Sequence, residues 1–373
     1  MRNTNSKIFL LILLGSLTAF GPLVTDMYLP SLPSMTDYFG TQASMVQLGL
    51  TSSMIGLALR QLFFGPLSDW YGRRPPLLVA MSLFIVSTVC CIFSATIEGF
   101  IFFRLIQGIA GAGGIVVSRS IATDRFTGKE LAKAMAIIGA INGIAPVASP
   151  VLGGFLTDSI GWKGIFIVLL ILGVLLLFSN LHFKESLSVD NRKRGNLKSL
   201  VSSFGIVLKN RRYVYYVLQM GVLFANISSS PFIVQQHYGF SAFEFSLFFG
   251  INALAIGLAA GLSVKFKNPE HAMFLGSVGM TMMSAVEFVI LSNEYHFAVY
   301  EAVLFVLLFS MGLTFTASTT LAMDCERANS GTASALFGAA GFAFGGIVSP
   351  LVGLGDILST TGLIFFVCSV CSL

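Results

Sequence analysis

The chain has 373 residues, 55% of them hydrophobic and only 10% charged, against roughly 25% charged in a soluble domain, and its mean hydropathy is +0.84. That balance excludes a soluble globular domain and points to an integral membrane protein, so the formal charge of +5 reads as a topology signal and not as a nucleic-acid surface. The five cysteines, Cys90, Cys91, Cys325, Cys368 and Cys371, fall within or beside apolar runs with no histidine at metal spacing, which indicates neither a metal site nor a disulfide framework.

Apolar runs of the length that crosses a bilayer recur down the whole chain. They are continuously apolar and do not alternate in period two, which implies helices and not a barrel. The first run follows a short basic segment like that of a signal peptide, but it is long enough to span and has no A-x-A cleavage site. The expected spans are 8–30, 44–66, 75–95, 97–121, 133–155, 163–182, 213–234, 244–264, 271–292, 297–320, 330–353 and 357–373. These are twelve helices: a six-helix bundle over 1–183, a basic linker over 184–212 and a second six-helix bundle over 213–373. The linker carries eight basic residues against Glu185 and Asp190. With the N-terminus inside, Arg2, Lys7, Arg73, Arg74, Arg119, Arg125, Lys129, Lys133, the linker's eight, Lys265, Lys267 and Arg327 all fall on the cytoplasmic side, and Lys163 alone falls outside. Such a bias predicts both termini in the cytoplasm. The last span stops at Leu373 without a polar tail, which suggests a shortened twelfth helix.

Helix 1 ends in Thr25, Asp26, Met27, Tyr28, Leu29, Pro30, Ser31, Leu32 and Pro33. At 1.5 Å per residue, Asp26 lies about 25 Å from the inner edge, as does Arg104 on helix 4. A carboxylate sharing a membrane layer with a positive charge suits reversible protonation, with Asp26 merely capping a helix break as the bland alternative. Arg60 on helix 2 is expected either to snorkel to the inner interface or to pair with a carboxylate.

Between helices 2 and 3 runs GPLSDWYGRRPPL, residues 65–77. Gly65 and Gly72 suit a sharp reversal, Pro75 and Pro76 a helix start, and Asp69 can pair with Arg73 or Arg74. Helix 4 carries Arg104, Leu105, Ile106, Gln107 and Gly108. Helix 5 carries Gly139, Gly143, Pro146, Pro150, Gly153 and Gly154, small residues that suit close helix contact with two bends. Ser149 to Gly153 recurs as Ser349 to Gly353, an internal repeat that fits a transporter built from related halves. Phe224 and Phe232 on helix 7 suit an adaptable apolar pocket. Asn252 could bind substrate or join helices, and Glu287 could face a cavity or lie near the outer interface.

Residues 65–77 resemble the signature loop of the major facilitator superfamily, and the Arg104 to Gly108 segment resembles its second signature in proton-coupled members. The helix 5 pattern resembles the antiporter signature of the drug-efflux branch, with Ala145 where a glycine usually precedes the first proline. Together with Asp26 to Pro33 and Asn329 to Ala335, the chain is similar to the Bcr/CflA group of bacterial drug/proton antiporters. The resemblance implies an all-α integral membrane protein of the major facilitator fold, twelve transmembrane helices in two six-helix bundles around a central cavity, in the bacterial inner membrane. It implies a monomeric multidrug/proton antiporter working by alternating access, with a small drug-like molecule, protons and the lipid bilayer as partners and no cofactor. Asp26 would carry the proton with Arg104 tuning it; Tyr28, Gln107, Phe224 and Asn252 would line the cavity. Asp69 and Arg73, with Gly65, Gly72 and Arg74, would latch the cytoplasmic side in the outward-open state. Export of a metabolite such as an amino acid, nucleoside or siderophore is the alternative. A membrane enzyme lacks an acid, His or Cys constellation at the membrane edge, and a sensor lacks a soluble output domain.

Overall fold

The computed structural model describes residues 5–111, 113–192, 197–217, 221–326 and 330–372. Asn329, at the head of its motif, and residues 193–196 of the linker lie outside them. All regular structure among the described residues is helical.

Helix α1 (Lys7–Asp26) is followed by a 3-10 turn (Leu29–Ser31) and α2 (Leu32–Phe39). The expected span 8–30 is thus cut short at Asp26, because Pro30 has no N–H to donate and its ring excludes the carbonyl four residues back. α3 (Ala43–Tyr71) runs well past the expected end at 66 and carries Pro66 inside it. Gly65 is therefore helical and makes no reversal; the turn is confined to Gly72, whose φ of +97° is open to glycine and strained for other residues. α4 (Arg74–Ile92) begins with its prolines in the first turn, where the missing N–H costs nothing. α5 (Ile97–Gly111) and α6 (Gly113–Arg125) occupy the next span. α7 (Gly128–His182) covers two expected spans and breaks at Gly161, φ +70°.

The linker contains a 3-10 turn (Val189–Asn191) and α8 (Leu197–Leu208). α8 buries Phe204 and Val207 and packs on α9 and α14, so this segment is more than a polar spacer. α9 (Arg211–Val217) and α10 (Gly221–Phe232) lead through a π turn (Ile233–His237) to α11 (Ala242–Ser263). α12 (Pro269–Ser292), α13 (Phe297–Cys325), α14 (Ser330–Val352) and α15 (Ile357–Val370) complete the chain. Among the described residues, eight helical segments are long and apolar enough to cross a membrane.

Large apolar side chains such as Ile8, Val79, Phe155, Leu258 and Phe274 are exposed, the inverse of a soluble surface and the form that lipid requires. With lipid as apolar as the core, helices associate through close packing at small residues. A Cβ on Gly108 would strike the Ser53 backbone of α3, and one on Gly312 would strike the Ile256 backbone of α11. The α3/α5 crossing of the first bundle is thus echoed by α11/α13 in the second. The bundles meet where α3 packs on α14 and α7 on α11.

Candidate functional site

Between the bundles lies a cavity of about 1070 Å³ with a mainly apolar lining from α1, α3, α6, α7, α8, α10, α11, α13 and α14. Its ends differ. At the α2 end the bundles are tied: the Gln47 side-chain amide donates to the Ser228 carbonyl at 3.0 Å, Gln235 to the Pro30 carbonyl at 2.9 Å, and the Phe243 N–H to the Asp158 carboxylate at 3.0 Å. Gly154 of α7 meets the backbone of Ala242 and Phe243 there. At the Gly72 end nothing comes within 4 Å of a Cβ built on Gly139 or Gly143 of α7, or on Gly257 or Gly261 of α11, and Asp69, Arg119 and Thr332 join the lining. The bundles are pinched at the α2 end and splayed at the other.

This division corrects the uniform role expected for the helix 5 pattern. Gly153 packs against the Met27 carbonyl and Gly154 against α11, while Gly139 and Gly143 touch no neighbour in this way. Gly143 and Pro146 line the cavity, and Pro150 is buried.

Asp26 lines the cavity at the C-terminus of α1 and forms no ion pair among the described residues. Arg104 shares its level, since both terminal nitrogens approach the Val24 carbonyl at 3.4 and 3.5 Å, but it points into the first bundle. It is fully buried, donates to the Gln107 side-chain oxygen at 2.5 Å and stacks over the Tyr28 ring at 4.2 Å. Gln107 donates onward to Thr88 at 2.7 Å. Tyr28 and Gln107, expected in the cavity, are therefore absent from its lining; both are fully buried around Arg104, because a desolvated guanidinium draws acceptors and aromatic faces to itself. Arg104 does not snorkel either. By bonding a carbonyl left free at the end of α1, it braces the backbone two residues from Asp26.

Phe224 and Asn252 do line the cavity. Phe232, suggested for the same pocket, is fully buried and outside the lining. Arg60 follows neither expectation. It is 2% exposed, donates to the Ala110 carbonyl and lies 4.0 Å over the Phe64 ring. Its buried Nε and Nη2 have no partner among the described residues, although the residue borders the cavity.

At the splayed end, Arg73 donates to Asp69 at 2.5 Å, Asp124 at 3.0 Å and Ser68 at 2.8 Å, all in the first bundle. The expected latch would break when the cavity opens on this side; here the Asp69–Arg73 pair is formed while Asp69 borders the opening. Arg74 bonds the Asn180 and Leu181 carbonyls at the end of α7. Glu185, which charge counting treats as a minor linker acid, accepts the N–H groups of Arg73 and Arg74 at 2.9 and 3.0 Å. It thus caps α4, where backbone donors and the helix dipole favour an anion. The cluster ties α3, α4, α6 and α7 into one body.

Two acidic residues of the second bundle lie outside the cavity lining, and Glu287 meets neither of its expected settings. Glu287 on α12 is fully buried, outside the cavity lining, and neither carboxylate oxygen has a partner among the described residues. Glu301 on α13, which sequence reasoning passed over, accepts from the Asn252 side chain at 2.9 Å. Its place four residues inside a span was the available signal. An acid that near a helix end reads as interfacial.

The model of the Major Facilitator Superfamily matches residues 14–350. The chain is 37% identical to the uncharacterized MFS-type transporter YdgK of Bacillus subtilis, covering 98% of this chain and 93% of that protein. It is 27% identical to the bicyclomycin resistance protein homolog of Haemophilus influenzae, covering 94% and 90%. Among solved structures, a nucleoside transporter superposes with a TM-score of 0.77 over 97% of each chain at 14% identity, a likeness of fold alone.

Proposed function

The chain belongs to the Major Facilitator Superfamily, and from that premise we propose that it is a proton-coupled exporter of small lipophilic compounds. The observation that carries the reading is the placement of Asp26, an acidic side chain without an ion pair on the wall of a large apolar cavity. An acid in that setting exchanges a proton when water or a substrate reaches it. The name of the Haemophilus relative, a bicyclomycin resistance protein homolog, supports a drug-like substrate.

In this reading the splayed end faces the cytoplasm, as the crowding of Lys and Arg at the Gly72 turn suggests. Substrate enters there between Phe224 and the α7 face and displaces the proton of Asp26. The bundles then rock so that the α2 end opens, where Asp26 takes up a proton from outside and substrate leaves. Arg104, Tyr28 and Gln107 hold the Asp26 backbone in register, and the Asp69, Arg73, Asp124 and Glu185 cluster keeps the first bundle rigid while it moves. Arg60 borders the cavity, and its buried Nε and Nη2 have no partner among the described residues; when the cavity wall moves they can donate to a carbonyl or acidic group on the substrate.

The test is substrate-induced proton release from purified protein in detergent, wild type against Asp26→Asn, with chloramphenicol, a fluoroquinolone, a lipophilic cation and several amino acids. Release by a drug in the wild type and none in the variant is expected. Release by an amino acid alone would replace drug export with metabolite export, and undiminished release from Asp26→Asn would remove Asp26 from the coupling role.

A further inference from the structure

The second bundle encloses a group of acidic and polar atoms to which nothing above gives a task. Glu287 lies five residues before the end of α12 and Glu301 four residues after the start of α13, so on two closely packed helices both sit within about 8 Å, along the axis, of the turn that joins them. α12 and α13 pack along their length, and Tyr300, which precedes Glu301 on α13, is fully buried like Glu287. Five oxygens here are buried without a hydrogen-bond partner among the described residues: both of Glu287, Oε2 of Glu301, the Tyr300 hydroxyl and Oδ1 of Asn252.

Of these, the two Glu287 oxygens stand out, because they belong to a fully buried carboxylate. Buried polar groups are otherwise bonded, and an unpaired buried carboxylate charge is costly. Among the described residues no Lys or Arg is paired with either glutamate: α11 contributes Asn252, α13 itself contributes Tyr300 and its N-cap His296, the segment after α10 contributes His237 and Tyr238, whose rings meet edge to face, the α12–α13 turn carries Glu294, and α15, which meets α12 where Gly362 abuts Phe288, has no Asp, Glu, Lys, Arg or His. A proton from solution would remove the charge of either carboxylate and so lift the cost of its burial.

We propose that Glu287 and Glu301 form a proton-binding site separate from Asp26, gated from the central cavity by Asn252. Asn252 lines the cavity on one side and holds Glu301 on the other, so the site is one side chain away from cavity water. It also lies near the α12–α13 turn, whose Tyr295 carbonyl accepts from Tyr238 at 2.9 Å, on the pinched side of the molecule. A proton arriving here forms an O–H bond on a carboxylate lone pair and leaves by the reverse step, with no other bond made or broken. The inference rests on the exporter reading only for the use it gives that proton: a second ion per cycle, taken up on the face the cavity does not open to.

The experiment needs no substrate, so its failure is distinct from that of the exporter reading. Full-length protein in lipid nanodiscs is titrated in sodium-free buffer, and infrared difference spectra follow the carbonyl band of protonated carboxylic acids in the wild type, Asp26→Asn, Glu287→Gln and Glu301→Gln. A titrating band that survives in Asp26→Asn and is shifted or lost in each Gln variant is expected. Asn252→Ala should speed its exchange in heavy water. Spectra of both Gln variants that superimpose on the wild type would overturn the proposal, as would loss of the band on adding sodium at fixed pH, which would make the pair a metal-cation site. If Glu287→Gln does not fold, the half-buried Glu301 still decides the matter through its own variant.

Discussion

Each bundle buries ionisable groups beside the cavity, and the two treat them in opposite ways. In the first, Arg104 is surrounded: Gln107 and the Val24 carbonyl accept from it and Tyr28 lies flat against it. In the second, Glu287 is equally buried and has no hydrogen-bond partner among the described residues. A charge enclosed by fixed partners is part of the framework, since removing it orphans everything it held. An acid left without partners holds nothing in place and is free to exchange what it binds. Burial alone did not distinguish these cases; the hydrogen bonds did.

Substitution can break that contrast, and the largest effect is expected at Arg104. Arg104→Met leaves the Gln107 oxygen and the Val24 carbonyl buried without a donor and should cost about 2–4 kcal/mol of stability, read as thermal unfolding in detergent. It should also abolish substrate-induced proton release by loosening the end of α1. Glu287→Met should move the other way, stabilising the protein by about 1–3 kcal/mol because it removes two unpartnered acceptors and no bond. A loss of stability there would show that Glu287 has a structural partner and would erase the contrast. Gln107→Leu, which removes one acceptor of Arg104 and the bond to Thr88, should cost about 1–2 kcal/mol.

The smallest effect is a reference point outside both clusters. Asp356 caps α15 by accepting the Ser359 N–H at 2.9 Å, and that bond holds its carboxyl below the usual carboxylate range. A depressed value means that the cap contributes stability above the unfolded-state value and loses it as pH falls through the folded one. Asp356→Ala should cost about 1 kcal/mol at neutral pH and progressively less in acid. The pH dependence of unfolding, wild type against variant, checks the sign.

Much of this was legible in one dimension. The helical membrane class follows from apolar runs that allow nothing else in lipid. Asp26, the Gly72 turn, and the positions of Phe224 and Asn252 were found as polar, aromatic or turn-forming residues whose local setting already marks them. What sequence spacing could not decide was direction. Tyr28 and Gln107 look like cavity residues because they neighbour Asp26 and Arg104 in the chain, yet a helix turns 100° per residue and both face the bundle interior. The 139–154 run reads as one smooth glycine face, but α7 diverges from α11 along its length, so its two ends do different things. Glu301 was passed over for the same reason: an acid near a span's end is ordinary until the neighbouring helix brings Glu287 beside it. The order of polar and apolar residues determined that this chain spans the membrane as helices and where its charges lie. The crossing of those helices decided which charges are held and which are left open, because partners in a bundle come from other helices far away in the sequence.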